Sequence, residues 1–282
     1  MAADAAGADP GPLSPLAPGR LLTIGDGALE VDIAAEAGGR IAQVRFEGVE
    51  QLVGHGGDGA DAAIAWGCYP MVPWCGRIRG GRFGFDGRSF RLPVNLGDHA
   101  IHGVGFLLPW RVVTHGLRHA TLELALPADH RWPFGGTARQ RIDVRGTVLE
   151  LELSVTAGDQ AMPASIGWHP WFRKPGRMEF APEAMYPRDA QGITVLPPGP
   201  VRSGPWDDCF VNRTPVVLHR AGQRVRLVSE CTDWVVYDET AHATCVEPQT
   251  APPDAFNLVP GHRLQPGATL SARFSLQWDR VG

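Results

Sequence analysis

The sequence predicts an all-β protein, a large antiparallel β-sandwich, on three observations. Apolar and polar residues alternate with period two in several separate stretches, the pattern of strands with one buried and one wet face. No stretch sustains the 3.6-residue apolar period of an amphipathic helix. Among 282 residues, 35 are glycine and 25 are proline, which punctuate a chain with turns and disfavour long helices. Two sheets packed face to face satisfy both the alternation and the length, since sandwiches of this size fold as one unit. Residues 21–282 therefore read as a single domain, preceded by a disordered tail over residues 1–20 that is rich in Ala, Gly, Pro and Asp.

The elements follow in order. Residues 21–24 and 28–33 flank Gly25-Asp26-Gly27 and predict an opening hairpin, because a tight turn requires the positive φ that glycine adopts without strain. Residues 121–126 place Leu122, Leu124 and Leu126 on one face. Residues 147–156 turn Leu149, Leu151, Leu153 and Val155 inward and Glu150, Glu152, Ser154 and Thr156 outward. Residues 224–228 repeat the pattern, as do residues 270–278, with Leu270, Ala272, Phe274, Leu276 and Trp278 inside. Residues 196–200, dense in proline and glycine, read as a loop.

The net charge of −4, with both signs interspersed, offers no electrostatic footprint for nucleic acid or for an anionic membrane. No apolar run approaches the roughly 20 residues that cross a bilayer. Five widely spread cysteines, Cys68, Cys75, Cys209, Cys231 and Cys245, contain no C-x-x-C pair and read as reduced core thiols in a cytoplasmic protein. The expected partner is a small, roughly neutral molecule, bound by a monomer or homodimer.

Three regions break the alternation and gather polar, aromatic and glycine residues, the composition of binding loops on a rigid sheet. The first carries Arg77, Arg79 and Arg82, then His99-Ala100-Ile101-His102-Gly103. Arginine forks suit sugar hydroxyls or an anion equally, and the two histidines lack a further ligand to complete a metal site, so none is expected. The second is Gly167-Trp168-His169-Pro170-Trp171-Phe172-Arg173, where indole rings offer flat faces to the C–H side of a sugar. The third comprises Trp206-Asp207-Asp208-Cys209-Phe210 and the stretch from Cys245 to Asn257. Glu247 follows an apolar pair and precedes a proline, so its carboxyl is expected to be held and partly desolvated, which makes it a stronger base.

Together these marks resemble the aldose 1-epimerase (galactose mutarotase) family. Gly76-Arg77-Ile78 stands where the family usually shows Asn-Arg, and Ile101-His102-Gly103 is similar to its Leu-His-Gly-Gly. Trp168-His169-Pro170-Trp171-Phe172 is similar to its His-x-Tyr-Phe, and Asp207-Asp208-Cys209-Phe210 to its Asp-His-x-Phe. Glu247-Pro248-Gln249 and Pro253-Asp254-Ala255-Phe256-Asn257 are similar to its Glu-Thr-Gln and Pro-Asp-Ala-x-Asn. The resemblance implies a sandwich of the galactose mutarotase type with an open sugar cleft on one sheet. It implies Glu247 as general base, His169 as general acid, and Arg77, His102 and Asp207 as sugar ligands, with no metal or organic cofactor. Gly76, Val104 and Pro170-Trp171 depart from the family pattern, which makes Trp171 a candidate for setting the identity of the sugar.

The implied reaction interconverts α and β anomers. A base takes the proton from O1 while an acid protonates O5, and the two groups are expected ionised and on opposite sides of the anomeric centre. Three rival readings use the same residues. A glycoside hydrolase would pair Asp207 with Glu247, a binding module would need no acid–base pair, and an anionic sugar would recruit Arg79 or Arg82.

Overall fold

The computed structural model describes residues 11–57, 60–259 and 263–281, and the fold is the antiparallel sandwich that the alternation predicts. One sheet has ten strands, running in space Leu21–Asp26, Leu29–Ala34, Arg40–Phe46, Cys68–Met71, Gly167–Arg173, Ala243–Gln249, Asp233–Tyr237, Asp207–Val211 and Ala184–Met185, with Val49–Glu50 paired off Arg40–Phe46. The other has eight, in the order Arg111–His115, His119–Ala125, Thr137–Arg145, Val148–Thr156, Thr269–Arg280, Gln223–Ser229, Val216–Arg220 and Arg177–Glu179. The α-helix among the described residues is a single turn, Ala255–Leu258, and no helix there is long and apolar enough to cross a membrane.

The facing sides of the two sheets make the main core, and the predicted parity holds. Leu149, Leu151, Leu153 and Val155 are buried opposite Leu276, Phe274, Ala272 and Leu270 of the neighbouring strand. From the ten-stranded sheet, Trp168 and Trp234 meet Phe274 at ring-centroid distances of 5.7 and 6.1 Å. Each buried aliphatic or aromatic side chain of this kind contributes about 1.5–3 kcal/mol. Trp168 also donates its indole N–H to Gln140 Oε1 at 2.9 Å, and Gln140 donates to the Gly39 carbonyl at 2.7 Å, so this buried polar pair is satisfied within the core.

Two details differ from the sequence expectation. The opening hairpin turns at Gly27 and Ala28, one residue later than the expected Gly25-Asp26-Gly27, with Asp26 paired to Leu29 and Gly27 at φ 63°. A two-residue loop with glycine first matches the twist of the strands. The expected tail divides: residues 1–10 lie outside the described residues, whereas residues 11–20 dock on the loop at residues 60–65. Leu16 N–H donates to Asp61, Ala63 N–H to Ser14, and Ile64 N–H to Pro12. Main-chain bonds of this kind depend little on side-chain character, which is why composition alone did not reveal them.

A second, smaller core lies on the other side of the ten-stranded sheet. Ala34, Ala42, Val53, Trp66, Tyr69, Phe106 and Cys245 pack there around Arg40. Arg40 is fully buried without a carboxylate. Its guanidinium donates to the carbonyls of Ala37, Ala63, Trp66 and Phe106 at 2.6–3.0 Å, and it lies 4.2 Å from the Trp66 ring and 5.1 Å from that of Tyr69. Burial lowers its pKa to about 9, so it remains a cation at neutral pH. It ties three loops to the sheet. Arg40→Met, which leaves four buried carbonyls without donors, is expected to lower stability by about 3–5 kcal/mol, measured by urea unfolding.

Candidate active site

The strand Gly167–Arg173 runs through the middle of the ten-stranded sheet, between Cys68–Met71 and Ala243–Gln249. Period two sends Trp168 and Phe172 into the main core and leaves His169 and Trp171 on the other face. Pairing of Gly167 with Gln249 and of Trp171 with Cys245 sets His169 directly across from Glu247. Gly167 is required by this close pairing, since a Cβ there would lie 2.4 Å from the Pro248 carbonyl oxygen.

His169 and Glu247 touch. Nε2 lies 3.2 Å from Glu247 Oε1, and the two residues are only 5% and 2% exposed. Gln249 donates to the other carboxyl oxygen at 3.3 Å. The imidazole is flanked in near-parallel stacks by Tyr69 (4.7 Å, 23°) and Trp171 (5.4 Å, 20°), which fixes its plane. Burial raises the Glu247 carboxyl well above its ordinary value, with the nearby Asp207 charge adding to the rise. Burial lowers His169 to about 3, with the Arg40 cation contributing. The pair therefore favours the protonated carboxyl beside neutral imidazole, not the two ions expected from sequence. Desolvation penalises each charge more than either relieves the other. In that form the carboxyl proton is the one the two groups can exchange across the 3.2 Å contact. The two groups stand side by side on neighbouring strands.

A cleft of about 340 Å³ opens above the pair, within the range of roughly 300–1,000 Å³ for small-molecule sites. Arg77, His102, Trp171 and Asp207 line it together with His169 and Glu247, so the six residues singled out in the sequence meet in one place. The short pairing of Arg77–Ile78 with Ala100–Ile101 brings the arginine and histidine loops together. His102 Nδ1 accepts the Gly76 N–H at 3.3 Å, which places the proton of neutral His102 on Nε2 as a donor. Burial keeps it neutral, with His169 and Arg77 reinforcing that direction. His102 itself adopts φ 57°, a conformation that costs a non-glycine residue about 1–3 kcal/mol and concentrates at functional sites.

Gly76, which departs from the family's asparagine, has a steric cause. It sits at φ 62°, and a Cβ would lie 2.6 Å from Pro253 Cβ. Pro253 fills the space that a side chain would need. Gly76→Asn is accordingly expected to destabilise by about 1–3 kcal/mol through overpacking, seen as a lowered Tm. The motif at residues 253–257 also has a structural task. Asp254 Oδ1 accepts the Arg79 N–H (3.0 Å) and the Asn257 amide (2.7 Å), while Asn257 donates to the Arg82 carbonyl at 2.9 Å. These bonds hold the loop that carries Arg77.

The fold also places the remaining aromatic and basic candidates. Trp171 lines the cleft with little of its surface free: it is 8% exposed, stacks on His169 and lies near-parallel to His242 at 6.4 Å, and donates to the Ile64 carbonyl at 2.7 Å. Its ring walls the histidine. Trp66, Trp74 and Trp110 are core residues, and Trp206 packs on Phe180 and Phe210. Arg79 pairs with Asp189 at 2.6 Å, and Arg82 lies on the separate hairpin Arg82–Phe85 with Arg88–Arg91. His99 binds the Gly80 N–H through Nδ1 at 3.2 Å. Among the described residues, the potential ligand side chains that come close together are different ones, His169, Cys245 and Glu247, whose ligand atoms lie within 4.8 Å of one another.

The sequence reading missed Arg188, which reaches the cleft from an irregular loop. Its NH1 lies 2.9 Å from Asp207 Oδ2 and its Nε 2.9 Å from Asp208 Oδ1, while Arg77 approaches Asp207 at 3.8 Å. Asp207 is thus clamped between two guanidinium groups. A lone arginine between proline and aspartate carries no periodic or motif signal. Tyr69 and Arg40 were missed for the same reason, since both act through tertiary contacts.

Fold and site define a class: a galactose mutarotase-type β-sandwich with a buried histidine–carboxyl pair at the floor of a polar cleft. The chain belongs to the aldose 1-epimerase family, whose sequence profile matches residues 20–277. It is 30% identical over 156 residues to YphB of Escherichia coli K12, an alignment covering 54% of this chain and 51% of YphB, about half of that relative's length. Similarity to YihR of the same organism is 24% over 254 residues, covering 78% and 80% of the two chains. A solved structure of the GalM/aldose epimerase homologue from C. elegans superposes with a TM-score of 0.78 at 16% identity, over 93% of this chain and all of that one (100%); at that identity the likeness concerns the fold.

Proposed function

We propose that the protein is an aldose 1-epimerase that interconverts the α and β anomers of a neutral hexose-type sugar. The observation that carries this reading is the 3.2 Å contact between His169 Nε2 and Glu247 Oε1, an acid and a base adjacent at the floor of a cleft. The bound sugar inserts its anomeric edge between them, so that O1 and O5 replace the direct contact. Glu247, as carboxylate, takes the O1 proton, and His169, as imidazolium, protonates O5. The C1–O5 bond breaks and C1 becomes an aldehyde. Rotation about C1–C2 presents the other carbonyl face, and reversal of both proton transfers closes the ring. The ionic form differs from the resting neutral pair by one proton shift along the contact, and Arg77 favours it by lowering the Glu247 pKa. Each positioned proton transfer supplies about 10²–10⁴-fold.

The clamped Asp207 presents a fixed acceptor and Arg77 and His102 fixed donors, the complement of sugar hydroxyls. Charge pairing favours a neutral substrate. Arg77 and Arg188 face Asp207 and Asp208, which leaves the cleft no unbalanced cation for a phosphate or sulfonate. The same pairing engages Asp207 and weighs against its serving as the partner carboxylate of a glycoside hydrolase.

The test is two-dimensional exchange NMR between anomeric protons across a panel of neutral, phosphorylated and sulfonated sugars. Accelerated exchange of one or more neutral hexoses supports the reading. Absence of acceleration with every sugar, despite binding, makes the protein a carbohydrate-binding module. Acceleration confined to anionic sugars overturns the substrate class.

A further inference from the structure

Cys245 takes no part in the proton transfers above, yet its sulfur sits beside them. The thiol Sγ, a ring nitrogen of His169 and a carboxyl oxygen of Glu247 all lie within 4.8 Å of one another. The trio arises from the strand register, since Cys245 and Glu247 are two residues apart on one strand and His169 faces them from the next. Thiol, imidazole and carboxyl are the three ligand types zinc takes, and three protein ligands with one open side form the usual plan of an accessible zinc site.

Zinc bonds of about 2.0–2.3 Å set tetrahedral ligands about 3.3–3.8 Å apart. The His169–Glu247 separation of 3.2 Å and the 4.8 Å limit on the trio bracket that spacing, so rotation of the thiol and carboxyl through about 1 Å closes the site. His169 also has unmet bonding capacity, since its buried Nδ1 has no hydrogen-bond partner among the described residues. The arginines of the cleft face Asp207 and Asp208 and do not occupy the trio.

We propose that His169, Cys245 and Glu247 form a zinc(II) site just beneath the floor of the cleft, where Cys245 is fully buried and His169 and Glu247 face the cleft, its fourth position taken by water or a sugar oxygen from the cleft, and that zinc bound there inhibits anomer exchange. The inhibition, though not the site, rests on His169 and Glu247 being the acid–base pair. A coordinated carboxyl oxygen no longer accepts the O1 proton, and a coordinated ring nitrogen has none to give. The thiol and carboxyl protons leave to solvent as the metal enters. Magnesium, which prefers an all-oxygen octahedron and keeps its waters, does not fit a site with sulfur and nitrogen donors.

The experiment uses untagged full-length protein, reduced and freed of metal by chelation. Zinc affinity and stoichiometry are read by competition with a chromogenic chelator, and cobalt(II) serves as a spectroscopic substitute. The expected results are one zinc per chain, a cobalt–thiolate charge-transfer band, and loss of that band with at least tenfold weaker zinc binding in both Cys245→Ala and Cys245→Ser. Zinc slows anomer exchange and a chelator restores it, whereas magnesium does neither. Zinc bound equally well by both Cys245 variants, or cobalt bound without a thiolate band, overturns the site. The wild-type cobalt spectrum decides this even where a variant fails to fold. Full exchange at saturating zinc overturns the inhibition. A protein that binds zinc with the expected spectrum but exchanges no sugar in the panel retains the site and loses the proposed function.

Discussion

Glu247→Gln is expected to reduce anomer exchange by about 10²–10⁴-fold while leaving the fold intact, measured by exchange NMR and by thermal unfolding. Glutamine keeps the shape and a hydrogen-bonding oxygen but accepts no proton from O1. Near-normal exchange in this variant would remove Glu247 as the base. Its stability should carry a second signature. The folded carboxyl titrates well above its ordinary value of 4.5 because burial penalises the anion. Between those two pH values the unfolded chain ionises while the folded one holds its proton. The wild type therefore has its full stability at this site below about pH 4.5 and loses it as pH rises through the folded pKa. Glutamine does not titrate, so the Tm of Glu247→Gln relative to wild type should climb with pH over that window. A constant difference would show that the carboxyl is not desolvated in solution.

His169→Asn is expected to lose a similar factor, about 10²–10⁴, because no group remains to protonate O5. The pH signature has the opposite direction. His169 is lowered by burial from 6.5 to about 3, so its site contributes fully above pH 6.5. That contribution is lost as pH falls toward 3, because the unfolded chain takes up a proton that the folded one refuses. Asparagine removes this acid sensitivity, at the cost of about 1–2 kcal/mol at neutral pH for the space left between Tyr69 and Trp171. The Glu247→Gln/His169→Asn double variant should be little slower than the worse single one, since groups that act as a unit are not additive. Strictly additive losses would indicate two independent roles rather than one shared proton.

How much of the site was legible varies residue by residue. Glu247 could be read as held and desolvated from Cys245-Val246 before it and Pro248 after it, because apolar neighbours and a fixed φ are local properties. His169 carried a weaker signal, and it was the ordered set with Arg77, His102, Asp207 and Glu247 that gave it a role. Trp171 was legible as a cleft residue but not in its surroundings, since its partners, His169, His242 and the Ile64 carbonyl, come from the fold. Asp254 and Asn257 belong to a motif that looks functional and prove to be the clasp on the loop of Arg77. Arg188 and Tyr69 gave no signal at all.

By itself the sequence determined the all-β class, the inward and outward faces of strands such as Val148–Thr156 and Thr269–Arg280, and six of the residues that line the cleft. Those follow from side-chain period and local chemistry, which are fixed along the chain. Only the tertiary structure decided what the residues do to one another. The register between Gly167–Arg173 and Ala243–Gln249 brings His169 and Glu247 into contact and sets Cys245 beside them, and burial between Tyr69 and Trp171 makes the pair neutral. Charge, contact and proton position depend on distance and desolvation across strands 78 residues apart, and a linear pattern carries neither.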